Sequence, residues 1–117
     1  MGRLTTHVLD TAHGRPGAGI RIALYRNLGE RYALIGDAVT NRDGRCDGPL
    51  LEGAAFTRGR YRLLFAVGDY FRATGVALPD PPFIDEVVLD FGVADHTVHY
   101  HVPLLVSPWS YSTYRGS

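Results

Sequence analysis

Apolar and polar positions alternate with a period of two in several short runs. In "IRIALYR", Ile20, Ile22 and Leu24 fall on one face. In "RYRLLFAV", Tyr61, Leu63, Phe65 and Val67 share a face, with Arg60 and Arg62 opposite; in "EVVLDF", Val87, Leu89 and Phe91 oppose Glu86 and Asp90. Such alternation predicts antiparallel strands, each buried on one side against a partner sheet. Turn-forming clusters separate the runs at short intervals ("HGRPGAG", "RNLGE", "NRDGRCDG", "TRGR", "LPDPP", "GVADH", "VSP"). That spacing predicts an all-β sandwich or barrel. One stretch departs from it. "DYFRATG" predicts a short helix near residues 69–75, with Asp69 as N-cap, Gly75 just past the end and Pro79 preventing continuation.

The same parity sorts the histidines. In "TVHYHVPLL", Val98, Tyr100, Val102 and Leu104 take the core face, which leaves His99 and His101 side by side on the other. In "LTTHVLD", Val8 points inward and His7 outward. The last run, "WSYSTY", sets Trp109, Tyr111 and Thr113 against Ser110, Ser112 and Tyr114. As the final strand it would be an exposed edge, which proteins cover or pair, so a homo-oligomer is expected.

Composition narrows the function classes. A chain of 117 residues is one domain by size, residues 1–117, and its 45% apolar content suffices for a core without disulfides. The single cysteine, Cys46, permits no internal disulfide and suits a reducing compartment. With no apolar leader or membrane-length stretch in the sequence, the expectation is a cytoplasmic protein. Zero formal charge argues against a nucleic-acid or membrane-surface partner. All 12 basic residues are Arg, scattered from Arg3 to Arg115, which reads as a bias of the source genome more than as a recognition surface.

Several chemistries compete for the histidines. His96-x-x-His99-x-His101 offers three ligands to a zinc ion, but His96 has the opposite parity and precedes the strand, which weakens a metal reading. Proton transfer suits side chains that titrate near neutral pH. On parity alone, solvent-facing histidines are ordinary surface residues. Cys46 beside Arg45 invites a thiolate nucleophile, although a lone Cys is more often a small packed residue. No G-x-S-x-G elbow and no phosphate-binding Gly-rich loop is present in the sequence. Asp43-Gly44 suits a tight turn that carries Arg45 just beyond it.

Three stretches, "LTTHVLDTAHGRPG", "TNRDGRCDGPLL" and "YHVPLLVSPWSYSTYRGS", together resemble the 5-hydroxyisourate hydrolases, the transthyretin-related enzymes of urate breakdown. The likeness spans essentially the whole chain, and Tyr114-Arg115-Gly116-Ser117 is its most specific mark. It implies a transthyretin-like sandwich of two four-stranded antiparallel sheets with a short helix between the fifth and sixth strands. It also implies a homotetramer in which edge strands pair into dimers and two dimers face across a channel. His7, Arg45, His101 and Ser117 match the family's active-site positions. The resemblance implies that no metal or other cofactor is required.

The implied reaction opens the six-membered ring of 5-hydroxyisourate at an amide-type C–N bond, giving 2-oxo-4-hydroxy-4-carboxy-5-ureidoimidazoline on the route to allantoin. His7 and His101 are then the proton-transfer pair. Arg45 binds substrate oxygens and stabilises the oxyanion. Ser117 orients water or substrate by its hydroxyl or carboxylate, Tyr114 and Arg115 shape the pocket, and Gly116 gives the tail its backbone freedom. His99 is not among the transferred residues. "PPFIDEVVLDFGV" is more acidic than is usual in the family but touches no transferred position. The alternatives are a hormone-type binding protein on the same fold, a sandwich module that only mediates contacts, and a metal hydrolase.

Overall fold

A computed structural model of the chain describes residues 2–116 and builds them into two packed sheets with one helix. Its strands are β1 (Arg3–Asp10), β2 (Arg15–Pro16), β3 (Arg21–Asn27), β4 (Tyr32–Val39), β5 (Leu51–Glu52), β6 (Gly59–Phe65), β7 (Val87–Val93), β8 (Tyr100–Val106) and β9 (Tyr111–Thr113). The first sheet runs β2-β1-β8-β9, with β5 also paired to β1; the second runs β4-β3-β6-β7. The expectation of two four-stranded antiparallel sheets holds in the second. In the first, β1 and β8 run parallel and β5 adds a short fifth strand. These two strands come from opposite ends of the chain, so no hairpin turn forces them to be antiparallel.

The alternation predicts the inward faces. Leu4 and Val8 of β1, Ile22 and Leu24 of β3, Tyr61, Leu63 and Phe65 of β6, Val87 and Leu89 of β7, and Tyr100, Val102 and Leu104 of β8 are all buried in one core. Val98, expected on that face, lies before β8 begins and is exposed. Burying each such side chain contributes about 1.5–3 kcal/mol.

The helix, α1 (Val67–Ala73), starts two residues before Asp69. Its N-cap is Ala66, without a side-chain cap, because the Asp85 carbonyl accepts from the Gly68 N–H at 2.8 Å. Asp69 instead lies in the first turn, where a carboxylate is favoured, 3.5 Å from both Arg21 and Arg72. The C-terminal end is as expected, with Gly75 at φ +90°. Val67, Tyr70 and Phe71 bury one helix face against the sandwich. Tyr70 donates at 2.7 Å to Asp10, buried at the end of β1, which also binds His13 Nδ1 at 2.6 Å. No helix among the described residues is long and apolar enough to cross a membrane.

Candidate active site

β1 and β8 share a register that pairs Thr5 with His101 and His7 with Pro103. With Leu4, Val8, Tyr100 and Val102 turned into the core, the odd-numbered residues Thr5, His7, His99 and His101 stand together on the outer face. Parity had put His7, His99 and His101 there. The register makes them neighbours.

Arg45 reaches this face from a loop. After β4, Asn41 Oδ1 accepts from the Asp43 and Arg45 N–H groups at 2.9 and 3.2 Å, and the Asn41 carbonyl accepts from Gly44 at 2.9 Å. The loop then lies along the edge of β1 opposite β8, between its short pairings with β5 and β2. The Val8 N–H donates to the Gly44 carbonyl at 2.8 Å, and Arg45 forms a bridge opposite His7. Gly44 must be glycine twice over: its φ is +76°, and a Cβ would collide with the Val8 carbonyl. The Arg45 side chain is exposed, and no carboxylate among the described residues lies within ion-pair distance of it.

His7 Nε2 lies 2.9 Å from the Asp43 carbonyl. A carbonyl can only accept, so Nε2 carries the proton and neutral His7 keeps its lone pair on Nδ1. Burial, then the Arg45 charge, holds His7 below the usual histidine range despite that carbonyl. Burial lowers His101 as well, reinforced by Arg45, His99 and His7. Both imidazoles are therefore neutral near pH 7 beside a guanidinium whose charge is fixed.

The tail closes the third side. The Gly116 N–H donates to the His101 carbonyl at 2.7 Å, and the His101 N–H reaches back to Gly116 at 3.4 Å. Gly116 does not use the left-handed conformations open to glycine. What it supplies is close approach, because a Cβ would sit 3.0 Å from His101 Cδ2. That corrects the expectation of backbone freedom at this position. Ser117 follows Gly116 but lies outside the described residues. Arg115 turns to the other side of β8, its guanidinium 4.3 Å from the Tyr100 ring centroid and 3.3 Å from the His99 carbonyl, and Tyr114 is exposed.

A concavity of about 510 Å³ on this face is lined by Arg3, Thr5, Arg45, Cys46, His99 and His101 among others. A larger one, about 740 Å³, lies between strands of the second sheet and contains none of the expected site residues. Cys46 is half-buried, and burial followed by Asp47 pushes its thiol above the usual range, so it is no ready thiolate. His96 is exposed in the loop before β8, and no three His, Cys, Asp or Glu side chains converge among the described residues. Sequence reasoning passed over Thr5, whose hydroxyl bonds both His99 and His101. The available signal was its parity, two residues before His7.

Fold and site together define a transthyretin-like sandwich whose β1–β8 face carries neutral histidines and a fixed cation. The chain belongs to the HIUase/Transthyretin family, whose model matches residues 4–116. It is 63% identical over 117 residues to the 5-hydroxyisourate hydrolase of Pseudomonas aeruginosa, across 100% of this chain and 93% of that one. The crystal structure of (S)-allantoin synthase superposes with a TM-score of 0.93 at 50% identity, over 99% of this chain but only 44% of that longer one. Sea bream transthyretin in complex with thyroxine superposes with a TM-score of 0.87 at 25% identity, over 97% of this chain and 94% of the other.

Proposed function

We propose that the chain, acting as a single domain over residues 1–117, hydrolyses 5-hydroxyisourate to 2-oxo-4-hydroxy-4-carboxy-5-ureidoimidazoline. The observation that carries this reading is the grouping of outward His7 and His101 with Arg45 on one sheet face. Water adds to a ring carbonyl, a histidine takes its proton, and the tetrahedral oxyanion forms. Collapse expels the ring nitrogen, which receives a proton from a histidine. His7 and His101 are neutral at rest and can do both jobs. Arg45 meets the oxyanion and substrate oxygens with its forked donors. Ser117 orients water or substrate, Tyr114 and Arg115 shape the pocket, and Arg115 also holds the tail through the Tyr100 ring and the His99 carbonyl.

The functional unit is a homotetramer in which edge strands pair and the histidine faces of two dimers are opposed. Support comes from β9, an edge strand with all three residues exposed, next to exposed Trp109 and Tyr114. Hormone-type binding, as in the thyroxine-bound relative, fits this face less well, since apolar ligands prefer walls without unpaired polar groups.

The test follows the absorbance decay of freshly generated 5-hydroxyisourate with the intact chain and with one lacking residues 115–117, both folded and assembled alike. Acceleration by the intact chain alone supports the hydrolase reading and the role of the tail. Equal acceleration by both removes the tail's catalytic role. Acceleration by neither, with saturable binding of thyroxine, overturns the reading in favour of transport.

A further inference from the structure

Thr5 Oγ1 lies 2.7 Å from His99 Nε2 and 2.8 Å from His101 Nδ1, with the two rings 6.2 Å apart and inclined by 57°. A hydroxyl has one proton. When it donates to one of these nitrogens, the other must donate to it for both bonds to be made. The tautomers of His99 and His101 are therefore coupled through Thr5. Because Nδ1 of His101 is taken by this bond, Nε2 is its nitrogen available to a ligand.

We propose that Thr5 and His99 are positioning residues that form a proton relay behind His101, letting that one imidazole act first as base and then as acid. The inference rests on the hydrolase reading above. At rest His101 holds its proton on Nδ1 and donates to Thr5, while Thr5 donates to His99 Nε2. As water attacks, its proton passes to His101 Nε2. The Nδ1 proton moves to the Thr5 oxygen, and the Thr5 proton moves to His99. His101 is now neutral with Nε2–H facing the substrate, and the positive charge resides on His99. When the leaving nitrogen takes the Nε2 proton, the two transfers through Thr5 reverse, His99 gives up its extra proton and the resting state returns.

Charge distribution favours the displacement. Burial, then Arg45, His99 and His7, oppose a positive charge on His101; burial, then Arg3 alone, opposes one on His99, so fewer cations act against the charge there. Moving the charge to His99 takes it away from the Arg45 guanidinium. Arg115 lies over the Tyr100 ring and donates to the His99 carbonyl rather than to its imidazole, and Glu52 of β5 lies across from Arg3.

The experiment uses the full chain with Thr5→Val, Thr5→Ser, His99→Gln and the Thr5→Val/His99→Gln double variant. Each is checked for folding by thermal melting, and kcat and KM are measured across pH. The relay predicts that Thr5→Val and His99→Gln each lower kcat about 10- to 100-fold with KM changed less than about threefold. The double variant should be no slower than the worse single one, and Thr5→Ser should recover most of the loss. Removing the His99 charge should also move the acid limb of kcat/KM upward. The proposal is overturned if His99→Gln keeps the parental kcat, or if the two losses multiply. Should Thr5→Val not fold, the His99→Gln result decides alone. Nitrogen-15 shifts of His101 read the tautomer without turnover. They should change in His99→Gln even if 5-hydroxyisourate proves not to be the substrate, so failure of the reading and failure of the relay are separable.

Discussion

Replacing Gly116 with Ala should cut kcat/KM for 5-hydroxyisourate by about 10- to 100-fold while leaving the fold intact. The new Cβ would lie 3.0 Å from His101 Cδ2, 3.2 Å from its Cβ and 3.5 Å from its Cγ. The ring cannot swing aside freely, because Nδ1 is bound to Thr5 at 2.8 Å. The tail must therefore give way, and two backbone hydrogen bonds, at 2.7 and 3.4 Å, are weakened or lost. At about 0.5–1.5 kcal/mol each, their loss shifts tail docking by about 1–3 kcal/mol. That corresponds to a factor of about 5 to 150 in docked population, at about 1.4 kcal/mol per tenfold. Since Tyr114 and Arg115 are exposed, global stability should change by no more than about 0.5 kcal/mol. The assay compares substrate decay and thermal melting for the parent, the Ala variant and the chain lacking residues 115–117. Parental kcat/KM in the Ala variant, alongside an inactive truncation, would refute the close-approach argument. A large fall in melting temperature would reassign the loss to stability.

Other consequences are accessible to the same preparations. Burial, and after it Arg45, lowers both His7 and His101, so activity that needs neutral imidazoles should fall only below about pH 6.5. In Arg45→Gln the acid limb should move upward toward that value along with a loss of rate, and a pH–rate profile shows it; an unmoved limb contradicts the electrostatic assignment. Tyr70→Phe removes one hydrogen bond to the buried Asp10 carboxylate and should cost about 1.5–3 kcal/mol by denaturant melting. Burial alone would raise Asp10, but Tyr70 and His13 outweigh it and keep it below the usual carboxylate range. The Tyr70 contribution is therefore present above about pH 4 and should shrink as pH falls through the lower folded value. Cys46, pushed upward by burial and Asp47, should react with iodoacetamide at pH 7 more slowly than a free thiol, and faster alkylation would contradict its burial.

The strands were legible because a half-buried strand must alternate, and Ile22, Leu63 and Leu89 obey that rule in the core. Parity also told which face His7 and His101 occupy. It could not tell that they adjoin, since β1 and β8 are separated by nearly the whole chain and the choice of partner strand leaves no local pattern. Thr5 was missed for that reason: its role exists only in the register that sets it opposite His101. The helix start was misread because Asp69 looks like a cap, whereas a carbonyl from residue 85, far along the chain, satisfies the end. Gly116 was read as a flexible residue when contact with the His101 ring is what excludes a side chain. In each case the local signal was correct about residue type and silent about long-range neighbours.

The identity of those neighbours also bears on whether this sandwich carries a ligand or transforms one. Cationic histidines beside Arg45 would make the β1–β8 face an anion-binding surface, able to hold an oxyanion but with no lone pair for a proton. Burial and then Arg45 act against that state, holding His7 and His101 neutral. One group then supplies permanent charge and the others supply proton acceptors, so the two needs of amide hydrolysis fall on different side chains. The division depends on proximity. Arg45 is bridged to His7 by the loop that Gly44 allows against Val8, so lengthening that loop should raise the histidines toward their ordinary range and weaken catalysis even with every site residue still present.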